Sequence, residues 1–239
     1  MAIRKCSNFF VTIRVNLPWR AYLAEFLGTF VFVFIASGAV ISNILFVDIG
    51  VLGQAMASGL ALVAMIFATS AISGGHLNPA VTFSLWLVRK ISVLDATFYI
   101  LAQICASFAA AGLLFYIFGD RALHFNLGAP IIGADVALGA ALLLEAVLTA
   151  ALVFAVFATG VDKRGPISFG PLVVGLVMVV AGIFAGPVTG AALNPARAIG
   201  PAIVSGSFVN LPIWILGPLC GSLFGLVYEF VFLRKTSKR

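Results

Sequence analysis

Two Asn-Pro-Ala tripeptides are the residues of this sequence best suited to act on a small molecule. They consist of Asn78, Pro79 and Ala80, and of Asn194, Pro195 and Ala196. Asparagine is a favoured N-cap and proline fits the first helical position, so each tripeptide predicts the start of a helix. Because a helix N-terminus carries partial positive charge and free amide donors, both sites are expected to attract hydrogen-bond acceptors and to repel cations.

The helices that follow the tripeptides are predicted to be short, at 79–88 and 195–204. At 1.5 Å per residue, each covers only about half of a hydrocarbon core that is about 30 Å thick. The sequence therefore predicts two re-entrant half-helices, whose loops must be enclosed by protein or by a water-filled cavity. If they enter from opposite faces, Asn78 and Asn194 point into one central passage. Paired positive helix ends exclude cations and protons from such a passage and admit neutral molecules.

Three charged residues are also predicted at membrane depth. Arg197 follows the second tripeptide directly, and its guanidinium either binds solute oxygens and repels cations or extends outward from the loop to water. Glu25 and Glu145 occupy matching places in the first and fourth hydrophobic runs. They either accept hydrogen bonds from the backbone of the re-entrant loops or serve a proton relay, and their symmetric placement favours the first role.

His76 and the cysteines complete the set of reactive side chains. His76 lies two residues before Asn78. It could gate a cytoplasmic mouth because its charge changes near neutral pH, although a hydrogen-bonded loop histidine is the favoured interpretation. The three cysteines are far apart and form no Cys-x-x-Cys pair, so they predict neither a disulfide framework nor a metal site. No cofactor is expected.

The composition identifies the elements that must position these residues. The 239 residues are 62% hydrophobic and only 9% charged, with a mean hydropathy of +1.18. Soluble domains are about a quarter charged, so the sequence predicts an integral membrane protein. Runs long enough to span a bilayer occur at 21–44, 50–71, 93–118, 136–159, 169–186 and 211–233.

The net charge of +6 is explained by membrane orientation. Twelve of the 14 Lys and Arg residues lie in four places along the chain. These are the segment before the first hydrophobic run, the connection between the second and third runs, the connection between the fourth and fifth runs, and the segment after the sixth run. The positive-inside rule therefore predicts that this face, which holds both termini, is cytoplasmic. We expect a cytoplasmic N-terminal segment at 1–20, a basic cytoplasmic tail at 234–239 and no nucleic-acid partner.

The chain carries its pattern twice. A glutamate begins each half, and a Gly-rich segment precedes each tripeptide. The halves are predicted at 21–118 and 136–233, joined by an extracellular loop at 119–135. Because each half has three spans, the halves have opposite orientations, and the function of such an inverted repeat is expected near the midplane between them.

From about residue 20 to residue 233, the sequence resembles the major intrinsic protein (aquaporin) family. The resemblance is carried by Ala-Glu-Phe-Leu-Gly-Thr at 24–29, Ser-Gly-Gly-His-Leu-Asn-Pro-Ala-Val-Thr at 73–82 and Gly-Ala-Ala-Leu-Asn-Pro-Ala-Arg at 190–197. It implies an all-α membrane fold, a right-handed bundle of six transmembrane helices plus two re-entrant half-helices. It also implies a homotetramer with one pore per subunit.

The resemblance further implies a four-residue selectivity filter at Ser58, Gly182, Ala191 and Arg197. Water-selective members usually carry an aromatic residue and a histidine at the first two places, so three small residues here predict a wider constriction. Glycerol facilitators have Asp after the filter arginine, whereas this chain has Ala198. The surrounding residues look more like nodulin-26-like intrinsic proteins and their bacterial relatives, which implies passage of glycerol, urea or undissociated metalloid acids as well as water.

Two further functions remain as alternatives to this wide pore. The first is a water-selective channel, and the second is a proton-coupled secondary transporter, because transporters also use inverted repeats and broken helices. A membrane enzyme is disfavoured, since the chain has no clustered acids, metal-ligand spacing or nucleophile–base pair. The expected partners are water, small uncharged solutes and the lipid bilayer, in a plasma membrane or a cell inner membrane.

Overall fold

The computed structural model describes residues 18–233, and every regular element in that range is a helix. Six stretches are long and apolar enough to cross a membrane: Trp19–Leu45, Gly50–Ser73, Val93–Phe118, Leu138–Val161, Ile167–Thr189 and Leu211–Leu233. The six-span, all-α prediction is therefore confirmed, and the predicted ends move by no more than three residues. Residues 1–17 of the predicted N-terminal segment and the whole tail at 234–239 lie outside the described residues.

The helices follow one another in an order that repeats. They are α1 Trp19–Leu45, α2 Gly50–Ser73, α3 Pro79–Leu87, α4 Val93–Phe118, α5 Asp120–Leu123, α6 Leu138–Val156, α7 Gly170–Thr189, α8 Pro195–Ser205, α9 Leu211–Ser222 and α10 Phe224–Tyr228. Turns of π-helix at Phe157–Val161 and Glu229–Leu233 extend α6 and α10. The predicted half-helices are α3 and α8, each following the second long helix of its half.

The connection at 119–135 is more ordered than a simple loop. It contains α5 and a turn of 3₁₀-helix at Asn126–Gly128, and Leu127 is fully buried. Gly128 has a positive φ of 67°, and a Cβ on it would lie 2.4 Å from the carbonyl oxygen of Ser37 in α1. Only glycine allows this approach, so the segment folds back against α1.

The two halves meet where α2 crosses α7. A Cβ on Gly59 would lie 2.7 Å from the carbonyl oxygen of Gly175, and a Cβ on Gly175 would lie 2.7 Å from that of Gly59. Small residues allow helix backbones to approach closely in membranes, where dispersion forces replace the hydrophobic effect between helices. This crossing therefore brings two helix backbones into contact near the centre of the repeat.

Serine hydroxyls tie each half-helix to the opposite half. Ser84 in α3 donates to the carbonyl oxygen of Ser222 at 2.7 Å. Ser107 in α4 donates to the carbonyl oxygen of Ala196 and accepts a hydrogen bond from the backbone N–H of Gly200 at 3.0 Å, both in α8. Each half-helix is thus held by a span from the other half.

The last span departs from the single helix predicted at 211–233. It is interrupted at Leu223, between α9 and α10. The carbonyl oxygen of Ser222 accepts the bond from Ser84, and the N–H of Leu226 donates to Leu223 instead. A side chain from a distant helix therefore replaces one bond of the regular helical ladder.

An ion pair fastens the connection between α6 and α7 to the end of the last span. Asp162 is 6% exposed and accepts hydrogen bonds from Arg164 Nε at 2.8 Å and from Tyr228 Oη at 3.2 Å. Arg164 Nη2 also donates to the carbonyl oxygen of Phe232 at 3.2 Å. The side chain and backbone N–H groups of Arg164 hold the pKa of the Asp162 carboxyl well below its usual range.

D162N should melt at a lower temperature than the wild type at neutral pH, because the charged acceptor is lost. Since folding lowers the pKa of Asp162, its stabilisation is complete above the ordinary Asp pKa of about 3.9 and is lost as pH falls further. The difference in melting temperature should therefore hold at neutral pH and shrink below about pH 4. Thermal unfolding in detergent measures it, with the exposed Asp135→Asn as control. A difference that persists unchanged at the lowest pH would contradict the prediction.

Candidate functional site

Each Asn-Pro-Ala tripeptide begins a half-helix. Asn78 has extended backbone angles, and its Oδ1 accepts a hydrogen bond from the N–H of Ala80 at 2.8 Å. Asn194 does the same with Ala196 at 2.9 Å. Proline occupies the first turn in both cases, where its missing N–H leaves no bond unmade. The predicted N-caps are thus present at both positions.

The two asparagines also join the loops to each other. Asn78 Nδ2 donates to the carbonyl oxygen of Leu193 at 2.9 Å, and Asn194 Nδ2 donates to the carbonyl oxygen of Leu77 at 2.8 Å. Both asparagines are nearly buried, at 3% and 2% exposure. The N-termini of α3 and α8 therefore meet at one place, as the repeat predicts, and their partial positive charges converge there.

The loops that lead to the asparagines have unusual backbone angles. Gly74 and Gly190 end α2 and α7 in the left-handed conformation, with φ of 90° and 76°. Leu77 and Leu193 also have positive φ, at 49° and 50°, which is uncommon for residues with a Cβ. Such turns leave backbone N–H groups without helical partners, and at membrane depth each must find another acceptor.

Glu25 supplies those acceptors for the first loop. Its Oε1 accepts from the N–H of His76 at 2.9 Å and from Ser73 Oγ at 2.6 Å. Its Oε2 accepts from the N–H of Leu77 at 2.7 Å and from Gln103 Nε2 at 2.8 Å. The side chain is completely buried, and its four hydrogen-bond donors all belong to the first half.

Glu145 holds the second loop in the same way. Its Oε1 accepts from Thr189 Oγ1 at 2.6 Å and from the N–H of Ala192 at 3.1 Å. Its Oε2 accepts from the N–H of Leu193 at 2.8 Å. The loop-supporting contacts expected for the two glutamates are therefore present, with Ser73 and Thr189 as matching hydroxyl donors.

Two aromatic side chains and Gln103 belong to these networks but were not anticipated from the sequence. Tyr99 Oη donates to the carbonyl oxygen of Ser73, and Trp214 Nε1 donates to that of Thr189, both at 2.8 Å. Each bond satisfies the last residue of a long helix. Both aromatic residues lie in the third span of their half at nearly matching places, because they are 115 residues apart and the two tripeptides are 116 apart.

His76 lies in the first loop, where its Nδ1 is 3.1 Å from Thr82 Oγ1 and its ring contacts the edge of Tyr99. Thr82 is bonded in turn to Gln103 Nε2 at 3.0 Å. His76 also lines a cavity of about 630 Å³ whose lining includes Asn78 and Lys90. The histidine is thus both hydrogen-bonded within the loop and in contact with the cavity.

Arg197 lies in the first turn of α8 and is only 4% exposed. Its Nη1 has no hydrogen-bond partner among residues 18–233. A buried polar atom without a partner is unfavourable, and a cation at a helix N-terminus opposes the helix dipole. Arg197 thus sets a fixed positive charge at the start of α8, while Nη1 itself is covered by protein atoms.

The other three predicted filter residues lie on three different elements. Ser58 is half-buried on α2, and Gly182 is half-buried on α7. Ala191 lies in the second loop with a positive φ of 44° and 2% exposure. The structure thus places Ser58 and Gly182 on the two helices that cross between the halves, and Ala191 in the loop that leads to Arg197.

Comparison with known proteins identifies one family and several similar sequences. The chain matches the model of the family described as Major intrinsic protein over residues 12–228. It is 37% identical to Aquaporin-4 of Mus musculus over 221 residues, which cover 90% of this chain and 68% of that protein. It is 43% identical to the Probable aquaporin TIP3-2 of Oryza sativa subsp. japonica over 220 residues, 89% of this chain and 81% of that protein.

A solved structure is similar over nearly the whole fold. The X-ray structure of the aquaglyceroporin from Plasmodium falciparum superposes with a TM-score of 0.83 at 26% sequence identity. The match covers 92% of this chain and 99% of that one. The arrangement of long helices and half-helices is therefore shared with that protein, whereas the likeness to nodulin-26-like proteins stays a prediction.

E25Q should lower the yield of folded protein. In glutamine, an NH₂ group takes the place of one carboxylate oxygen and faces a donor from which that oxygen accepted a hydrogen bond. Each lost hydrogen bond to a charged acceptor is worth about 1.5–3 kcal/mol. Monodisperse protein recovered after detergent extraction, together with its melting temperature, measures the effect. D135N is the control, because the Asp135 carboxylate is exposed. Wild-type yield for E25Q would mean that the loop does not depend on this carboxylate.

Proposed function

This chain belongs to the major intrinsic protein family, and from that premise we propose that it is a passive pore for water and small uncharged solutes that excludes ions and protons. Members of this family are channels and not enzymes. The observation that carries the proposal is the meeting of two half-helix N-termini, joined by the reciprocal bonds of Asn78 and Asn194. Their converging positive ends oppose the passage of any cation.

The Asn-Pro-Ala residues and Arg197 have complementary roles in this proposal. Asn78 and Asn194 orient the two helix ends, with Pro79, Ala80, Pro195 and Ala196 as their first turns. The Arg197 guanidinium offers donors to a solute oxygen and adds a fixed positive charge against cations. Glu25 and Glu145 keep the loops in place, and His76 faces the cavity at one end of the pore.

The solute class follows from the size of the filter residues. Ser58, Gly182 and Ala191 carry small side chains, so the constriction beside Arg197 is wider than one built with an aromatic residue and a histidine. We propose that glycerol, urea or undissociated metalloid acids pass as well as water. The similar structure from Plasmodium falciparum is called an aquaglyceroporin, which supports this choice.

A water-selective pore is the main alternative, because several relatives are named aquaporins. A proton-coupled transporter is less consistent with the contacts. Glu25 and Glu145 accept hydrogen bonds from fixed backbone N–H groups of the loops. Protonating either would weaken bonds that hold the loop, and a carrier needs a carboxylate that titrates without that cost.

We further propose the orientation and assembly of the channel. The face that carries Lys90, Lys163 and Arg164 is assigned to the cytoplasm by the positive-inside rule, which also places both termini there. A homotetramer in a plasma or inner membrane, with one pore per subunit, agrees with the many apolar side chains exposed on the long helices. Its partners are water, small neutral solutes and lipid.

Stopped-flow light scattering on proteoliposomes tests the proposal directly. Vesicles challenged with an impermeant osmolyte should shrink by water efflux, and vesicles challenged with glycerol or urea should then re-swell. Neither flux should depend on a proton gradient. Fast shrinkage without re-swelling would indicate the water-selective alternative, and gradient-dependent or saturating flux would indicate the transporter.

S58F should reduce glycerol and urea flux more than water flux, because an aromatic ring at the constriction blocks the larger molecules first. Met56→Phe is the matched control. It adds the same ring two residues away on α2, where the side chain is exposed on the outside of the described chain. Equal loss of water and glycerol flux in S58F would show that residue 58 does not set the filter.

A further inference from the structure

Gly182 does not have free space on every side. A Cβ on this residue would lie 2.9 Å from Ala55 Cβ and 3.2 Å from Ala55 Cα, across the contact between α7 and α2. Ala55 itself is 4% exposed. Ordinary carbon–carbon contacts are about 3.5–4.0 Å, so even a methyl group at 182 would push the two helices apart.

This contact differs from those of the next glycine along α7. A Cβ on Gly186 would meet only Val51 Cγ1, at 3.5 Å, which is an ordinary contact. In the other direction, α2 and α7 touch backbone to backbone at Gly59 and Gly175. The helices are therefore tightly packed from the Gly59–Gly175 crossing to the level of Gly182. One turn further along α7, at Gly186, there is room for a side-chain Cβ.

The far end of α7 is also held. Thr189, its last residue, donates to Glu145 and accepts from Trp214 through its carbonyl oxygen. A displacement of α7 near Gly182 therefore lies between two fixed points, the glycine crossing and the Thr189 anchor. The displaced stretch of the α2–α7 contact therefore begins beside Ser58, which directly precedes Gly59 at the crossing, and runs past Gly182.

We infer that Ala55 is a positioning residue for the filter: its contact with Gly182 fixes the distance between α2 and α7, and so the distance between the Ser58 and Gly182 sides of the constriction. The inference rests on the proposed function, in which these two residues line the filter. Gly182 then acts through the close helix approach that it allows, as well as through its lack of a side chain.

A double-mutant cycle tests this role. G182A should change the ratio of glycerol to water permeability by about threefold or more, and adding A55G should bring the ratio back towards wild type, since contacting residues couple strongly. G186A is the control and should leave the ratio unchanged. The ratio matters because a purely structural defect lowers the number of open channels and reduces both fluxes together.

Each outcome decides the inference. An unchanged ratio in G182A, or a changed ratio that A55G does not move, overturns it. If G182A gives no folded protein, recovery of folded protein in A55G/G182A supports the contact, and failure to recover overturns it. If the wild type conducts no glycerol, the proposed solute class fails, and the same cycle is then read from the water permeability per folded channel.

Discussion

The structure depends on satisfying the backbone of two loops that turn inside the membrane. Water cannot serve as a general hydrogen-bond partner at that depth, and each unsatisfied N–H costs several kcal/mol. Glu25 and Glu145 meet this demand, because a carboxylate offers two oxygens that accept several donors at once. The left-handed turns at Leu77 and Leu193, the short half-helices and the meeting of their N-termini all require these two buried acceptors.

With the loops fixed, each asparagine side chain performs two tasks with its two ends. The oxygen caps the helix of its own half, and the nitrogen bonds to the loop of the other half. This use of both ends brings two helix dipoles to one point without any charged ligand. In the proposed pore, the electrostatic barrier to cations therefore derives from backbone geometry, and Arg197 adds a full positive charge to it.

The sequence predicts features whose cause is local or repeated, and these agree with the structure. Asn78 and Asn194 predict N-caps because the cap bond joins residues two apart, and the paired glutamates predict loop support because the pattern occurs twice. Contacts between distant residues were not predictable in this way. Nothing local indicates that Ser84 reaches Ser222, or that Tyr228 reaches Asp162. Such contacts depend on helix rotation and crossing, which apolar periodicity does not specify when helices are apolar on every side.

The carboxylate networks and the asparagine bonds also differ in which parts of the chain they join. Every partner of Glu25 lies in the first half, and every partner of Glu145 lies in the second. The Nδ2 bonds of the two asparagines and the bonds of Ser84 and Ser107 instead run between the halves. The hydrogen bonds that shape each loop are therefore complete within one half of the chain, and a small set of polar contacts fixes the register of one half against the other.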